Sequence, residues 1–237
     1  MQITKRQQEI LSFIEPRHFA SISEIASHIY TSGATVRRDL LSLEKMGIVK
    51  SVYGGVVLCE YEKESVPIYI RDNENSAEKE RIAAEAAKLI PEGAAIILDS
   101  SSTVRRICKH IKSRTDITVV TNNLRVFAEL KECGPRVICT GGTLIPKREC
   151  FAGHFAEELL RRINADILFF SSQGVLENGD ITDSSEEETA LRQVMFSRAK
   201  KKIFLCDHSK KGKDFPFILC NISDTDCVIG IETANKK

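Results

Sequence analysis

The sequence predicts an α/β protein of two units: a small helical unit closed by a hairpin, then a larger unit built on a mostly parallel sheet. Three observations carry this. Residues 1–58 hold three amphipathic stretches followed by one alternating stretch, residues 59–75 lose all periodicity, and from Ser76 onward short apolar runs alternate with amphipathic ones. A chain of 237 residues is long enough for two cores. With 42% hydrophobic and 28% charged residues, and no apolar run near the roughly 18 residues a membrane span needs, it reads as a soluble protein without a membrane role. The start, MQITKRQQEI, lacks the apolar core of a signal peptide, so a cytoplasmic protein is expected.

Taken in order, Ile10, Leu11 and Ile14 mark the apolar stripe of a first helix, which Pro16 ends by removing a donor and crowding the preceding turn. Ser21 and Glu24 form a capping box for a second, with Ile22, Ile25, Ala26 and Ile29 inward. After a short "TSG" turn, Ser32 caps a third helix whose Val36, Leu40 and Leu43 share one face and whose stop is Gly47. "IVKSVYGGVVL" alternates about a Gly-Gly turn, the pattern of a hairpin. Residues 59–75, rich in charge, are assigned as a linker.

In the second unit, residues 76–237, "AEKERIAAEAAKLI" is helical and "AAIILD" a buried strand. "TVRRICKHIK" and "ITVVTN" repeat the alternation, as do "LRVFAELKEC" and "RVICTGG", and "ADILFFSS", "EETALRQVMFSRA", "KIFLCDHS" and "DCVIG" continue it. Continuous apolar strands between amphipathic helices indicate a mostly parallel sheet covered on both faces.

The third helix poses the first functional question, because Arg37 and Arg38 lie in its first turns. Relative to Val36 they sit about 100° and 200° round the helix, so both reach solvent. A solvated face is the plain reading. Their place after a short turn and before a hairpin bearing Lys50 and Tyr53 favours another: in a helix-turn-helix the second helix enters the major groove by its N-terminal end. Guanidinium groups suit phosphates and guanine edges. Arg37, on the flank, is the better phosphate contact, and Arg38, opposite the core, the better base contact. Between Thr31 and Tyr53 four cations face two anions, a modest basic patch.

In the second unit small polar residues follow strand after strand: Asp99 to Thr103, Thr121 to Asn123, Thr140 to Thr143, Ser171 to Gly174, and Asp207 to Gly212. Ligands of open α/β sheets bind beyond the carboxyl ends of the strands, so these tips could converge on one site. The hydroxyls Ser100, Ser101, Ser102 and Thr103, placed before a helix, suit an anion. Each tip alone reads more simply as a helix cap or a turn. Glu186, Glu187 and Glu188 begin a helix after Ser184 or Ser185.

Two stretches carry a resemblance. "KRQQEILSFI" and "ISEIASHIYTSGATVRRDLLSLEKMGIVKSVYGGVV" are similar to the winged helix-turn-helix of DeoR-type bacterial transcriptional regulators, with their T-[IV]-R-R-D-L signature and basic wing. Tyr53 stands where histidine is common. The resemblance implies a DNA-reading set of Ser32, Ala34, Thr35, Arg37, Arg38, Lys50, Tyr53 and Gly54. Residues 76–230 resemble the family's C-terminal sensor domain, which shares its fold with sugar-phosphate isomerases and CoA transferases. That implies a phosphorylated sugar or related metabolite as effector. The family's D-x-G-T-T falls on Asp99 to Thr103, T-N on Thr121 and Asn122, G-G on Gly141 and Gly142, E-x-x-x-K on Glu188 and Arg192, and D-x-S-K on Asp207 to Lys210. Gly174 completes the expected effector set. Ser101 replaces a usual glycine, Gln173 with Ser172 alters a strand tip, and Arg192 replaces lysine.

The expected function is a repressor of a carbohydrate-metabolism operon, not an enzyme, bound to double-stranded operator DNA as a homo-oligomer, dimer or tetramer. No cofactor or metal is expected. One alternative is a sugar-phosphate isomerase with an accessory DNA-binding domain, using Asp99, Glu188 and Lys210. Another is a thiol or metal sensor, resting on eight cysteines without a CxxC pair, which read more simply as small buried hydrophobes.

Overall fold

Residues 4–17, 19–46, 48–58, 71–72 and 74–231 are described by a computed structural model of the chain. The Gly47 stop, Cys59 and most of the 59–75 connection lie outside them. The chain divides into two compact units, Met1–Val66 and Pro67–Lys237.

In the first unit, α1 (Lys5–Ile14) starts at a Thr4–Gln7 capping box, α2 (Ile22–His28) at the expected Ser21–Glu24 box, and α3 (Gly33–Lys45) at Ser32, whose hydroxyl accepts from the Thr35 amide. Their stripes meet in one core with Ile10, Ile14, Ile25, Val36, Leu40 and Leu43 buried. The hairpin is β2 (Val49–Val52) and β3 (Gly55–Leu58), antiparallel, and β3 also pairs with β1 (Phe19–Ala20), a strand too short to leave a pattern in the sequence. The turn itself is Tyr53–Gly54, with Gly54 at φ +84°, whereas Gly55 already belongs to the ladder opposite Val52. A Cβ on Gly55 would lie 2.3 Å from the Ala20 carbonyl oxygen, so the two glycines do different work.

The second unit is built on a six-stranded, all-parallel sheet in the order β14-β12-β9-β4-β5-β6. Its strands are β4 (Ala95–Leu98), β5 (Thr118–Thr121), β6 (Arg136–Cys139), β9 (Ala165–Phe170), β12 (Ala199–Leu205) and β14 (Cys227–Ile229). Alternate residues of each strand enter opposite cores. Ile96, Leu98, Ile167 and Phe169 face one core, completed by α4 (Ser76–Ala87), α5 (Ser102–Arg105), α6 (Cys108–Ile111) and α7 (Leu124–Leu130). Ile97, Leu168, Phe170 and Phe204 face the other, covered by α8 (His154–Arg161) and α9 (Glu186–Arg198).

Three features depart from the sequence reading. The helix expected over "TVRRICKHIK" is broken into α5 and α6, because the amides of Arg106, Ile107, Lys109 and His110 bond three residues back rather than four. A two-stranded ribbon, β7 (Thr143–Ile145) with β8 (Cys150–Ala152), follows the Gly141-Gly142 turn. A separate antiparallel sheet joins β10 (Gly174–Val175), β11 (Asp180–Asp183) and β13 (Phe217–Asn221). Such short, half-covered strands carry too few alternations to be read.

The chain runs outward from β4 to β5 and β6, then returns to the other side of β4 as β9 before continuing to β12 and β14. Strand order therefore reverses between β4 and β9, the kind of switch point beside which the loops of open α/β sheets form a ligand crevice.

Candidate functional site

On the first unit, α3 turns its anions inward. Asp39 is buried and accepts from Arg6 Nε at 2.5 Å and Nη2 at 3.0 Å, while Glu44 accepts from the Ser51 amide (2.7 Å) and hydroxyl (3.0 Å), tying the helix to the hairpin. Ala34, Arg37, Arg38, Lys45 and, on the hairpin, Lys50, Tyr53 and Gly54 are exposed, and Thr35 is half-buried. An open cleft of about 820 Å³ lies between α2, α3 and the hairpin, bordered by Ser23, Ser27, Arg37, Leu41, Ser51 and Gly54. Tyr30, in the turn before α3, escaped the sequence reading: it is 95% exposed and holds φ +52°, a left-handed conformation unusual for an aromatic residue.

In the second unit the strand tips converge as an ion network at the switch point. Asp99, fully buried after β4, accepts from the Ser101 amide (2.9 Å), the Ser171 amide beyond β9 (3.1 Å) and Arg192 Nε (3.1 Å). Arg192 also donates to Asp183 at 2.7 Å and to Glu188 at 3.4 Å, and Glu188 accepts from the Ser100 hydroxyl at 2.5 Å. Arg148 completes the network by pairing with Glu188 and donating to the Ser184 hydroxyl at 3.0 Å. Asp183, at the end of β11, accepts from Gln173 at 3.0 Å.

Other predicted tip residues serve the framework. Thr121 donates to the Leu98 carbonyl at 2.7 Å, Ser101 caps α5 by accepting from Val104, and Thr103 is buried in α5. Because α5 is one turn long and the Ser101 and Val104 amides are already bonded, the expected helix-dipole contribution to an anion site shrinks; hydroxyls and cations take its place. Asn122 donates to the Phe151 carbonyl at 2.9 Å, and its buried Oδ1 has no partner among the described residues. Gly141 and Gly142 hold φ +62° and +101°. Gly174 packs so closely that a Cβ would lie 2.1 Å from the Lys213 carbonyl oxygen, a packing reason for glycine.

The electrostatics are lopsided. Burial lowers Lys79 to about 8, with Lys210 and Arg71 adding to the effect. It brings Arg148 down to about 10, against the pull of Asp183 and with Arg71 and Arg192 adding to the fall. Lys210 and Arg71 are lowered as well, burial again leading. Arg192, by contrast, is raised: burial opposes its charge, but Asp183 and Asp99 outweigh it. Beside this group Asp207, though burial opposes its charge, is held below its ordinary value by Lys210, and its Oδ2 has no hydrogen-bond partner among the described residues. These four cations, held below their ordinary proton affinity, are interleaved with Asp183, Glu188 and Asp207, and desolvated cations of this kind suit an anionic ligand.

Arg71, Lys79, Arg148 and Asp183 went unrecognised in the sequence. Lys79 left a signal, since it shares a helical stripe with Ile82, Ala83 and Ala86. One cysteine touches the network, since the buried Cys150 thiol donates to Glu188 at 3.6 Å. Burial raises it as it raises the Cys108 and Cys206 thiols, the latter two to about 12. Among the described residues the one group able to gather metal ligands is Glu78, Asp207 and His208.

The family model of the DeoR C terminal sensor domain matches residues 74–230, and that of the DeoR-like helix-turn-helix domain matches residues 6–62. The chain belongs to the DeoR family of transcriptional regulators. Its DeoR-type relatives align along nearly their whole length. The HTH-type transcriptional regulator GolR of Listeria innocua is 32% identical over 98% of this chain and 92% of its own. A putative aga operon transcriptional repressor of Escherichia coli O157:H7 is 31% identical over 95% and 85%, and the lactose phosphotransferase system repressor of Staphylococcus aureus 29% over 95% and 90%. Among solved structures, ribose 5-phosphate isomerase A of Methanocaldococcus jannaschii gives a TM-score of 0.45 at 17% identity, over 58% of this chain and 55% of that one. This DeoR-family chain is thus a regulator with a helix-turn-helix and a sensor domain, and no helix among its described residues is long and apolar enough to cross a membrane.

Proposed function

We propose that the protein represses a carbohydrate-metabolism operon, binding operator DNA through α3 and the hairpin, and that a phosphorylated sugar or related metabolite in the crevice of the second unit alters that binding. The observation that carries the reading is the group of desolvated cations, Arg71, Lys79, Arg148 and Lys210, beside the hydroxyls of Ser100 and Ser102. Such a group favours a dianion. The lactose phosphotransferase system named for one relative points to sugars.

On the DNA side Ser32, Ala34, Thr35, Arg37, Arg38, Lys50, Tyr53 and Gly54 form the reading surface, Arg37 toward phosphate and Arg38 toward bases. For the effector, Ser100, Ser102, Asn122, Gly141, Gly142 and Lys210 are assigned direct contact, with Asp99, Glu188 and Arg192 as the frame holding them. The protein works in the cytoplasm as a dimer or tetramer matching paired half-sites. Sensing is favoured over isomerisation because the named relatives are transcriptional regulators and because Asp99 and Glu188, two of the three residues an isomerase would use, each already accept several hydrogen bonds.

A thermal-shift series with phosphorylated sugars, followed by gel shifts on DNA from upstream of the gene, tests this. Stabilisation by a phosphosugar together with changed DNA affinity is expected. Turnover of that sugar by the purified protein would overturn pure sensing, and no response to any phosphorylated sugar would overturn the effector class.

A further inference from the structure

Leu41 is the apolar residue of α3 for which the fold has no use. Val36, Leu40 and Leu43 are buried in the core of the first unit, whereas Leu41 is 57% exposed and is neither in that core nor among the partly buried residues packed against it. By the 3.6-residue turn it sits about 140° round the helix from Val36, between Arg37 at about 100° and Arg38 at about 200°. Ala34 and Lys45 share that outward face, and all five residues are exposed. Leu41 and Arg37 also border the open cleft toward the hairpin, with Ser51 and Gly54. A single exposed leucine is ordinary on a protein surface. This one is set apart by its surroundings: Asp39 is turned to Arg6 and Glu44 to Ser51, so the apolar side chain stands on a face whose charges, Arg37, Arg38 and Lys45, are all positive.

We infer that Leu41 reads a thymine in each operator half-site by burying its side chain against the C5-methyl group. The inference rests on the DNA-reading surface given above and adds to it a base and the residue that selects it. In the major groove thymine presents that methyl beside an acceptor, O4, where cytosine carries an amino donor and no methyl. Leucine neither donates nor accepts, so a cytosine at this place forfeits the methyl contact and brings an amino group that the side chain cannot satisfy. The flanking guanidinium groups supply what leucine lacks, attraction to phosphates and hydrogen bonds to guanine. Leu41 lies three residues beyond Arg38, about 4.5 Å along the helix against about 3.4 Å per base pair. The thymine therefore lies one or two base pairs from the base that Arg38 contacts.

The test uses the full chain and the DNA upstream of the gene, narrowed by footprinting to the protected duplex. Each thymine in turn is replaced by deoxyuridine, which removes the methyl and leaves base pairing and O4 unchanged. Gel-shift titrations compare wild type, Leu41→Ala and Arg38→Ala. One position in each half-site is expected to weaken the wild type about four-fold, the worth of one buried methyl-sized group, and to leave Leu41→Ala unaffected. On unmodified DNA Leu41→Ala itself binds about four-fold or more weakly, with the salt dependence of the wild type. Deoxyuridine that costs the wild type nothing at every position overturns the contact, and so does an equal cost in both proteins. Weaker binding by Leu41→Ala while every deoxyuridine is silent puts the leucine against protein, a second copy of the chain, and likewise overturns it. Wild-type affinity in Arg38→Ala overturns instead the reading surface beneath the inference. Should Leu41→Ala melt early, Leu41→Gln takes its place with the same expected result and the same overturning ones.

Discussion

Lys79 has to carry an ammonium on a stripe otherwise made of Ile82, Ala83 and Ala86, and its depressed proton affinity follows. In the unfolded chain it titrates near 10.5, whereas burial and then Lys210 bring it to about 8 in the fold. Below pH 8 both states hold the proton, and the penalty of burying the charge, on the order of 3 kcal/mol, stands in full. Between about 8 and 10.5 the unfolded state binds more protons, so this group's contribution to stability rises with pH. Denaturation of wild type and Lys79→Met at pH 7 and 9.5 should show an increment in the wild type that the variant lacks. Arg38 offers a cleaner test, since it is exposed and leaves the core untouched. Arg38→Ala should lose operator binding by at least roughly ten-fold while phosphate binding persists, and wild-type affinity in a gel-shift titration would remove it from the reading surface.

Among the elements, α9 carries Glu188 and Arg192 and begins at Ser185, whose hydroxyl accepts from the Glu188 amide at 3.2 Å. Ser185→Ala should cost about 1 kcal/mol, read as a lowered melting temperature, and should loosen the first turn that presents Glu188. The hairpin turn gives a paired comparison: at Gly54 an added Cβ meets open space but the backbone is left-handed, whereas at Gly55 it strikes Ala20 and the Phe19 ring. Gly55→Ala should therefore destabilise the first unit far more than Gly54→Ala, with the melting temperatures ranking the two. Helices α1 to α3 were legible because caps and 3.6-residue stripes are local signals, and the strands of the large sheet because they are continuous apolar runs. The ribbon of β7 and β8 was not, since three-residue strands repeat nothing. In the crevice, hydroxyls at strand tips could be anticipated, but the Arg192–Asp99 bond spans 93 residues and Arg148 reaches Glu188 across 40, distances over which no sequence period runs. Arg71, in a stretch read as linker, carried no local mark at all.

For the whole molecule a formal charge of +1 conceals a local arrangement: α3 spends Asp39 and Glu44 on internal bonds and leaves its arginines outward. Operator affinity should fall with salt at a log–log slope of roughly −3.6 to −5.4 if two subunits each neutralise two or three phosphates. A slope near zero in a salt titration would mean that the basic face does not meet the backbone. The ion network of the second unit has a longer consequence. Asp99, Asp183 and Glu188 share Arg148 and Arg192 in a desolvated space, and removing one member strands a charge at a cost of about 3–5 kcal/mol. Mutational drift in such a cluster is epistatic: an acid is lost safely only when its guanidinium changes too. New ligand preferences would therefore arise in this lineage by paired exchanges across the crevice, and an ancestral intermediate carrying half of such a pair would have survived only where the rest of the fold had stability in reserve.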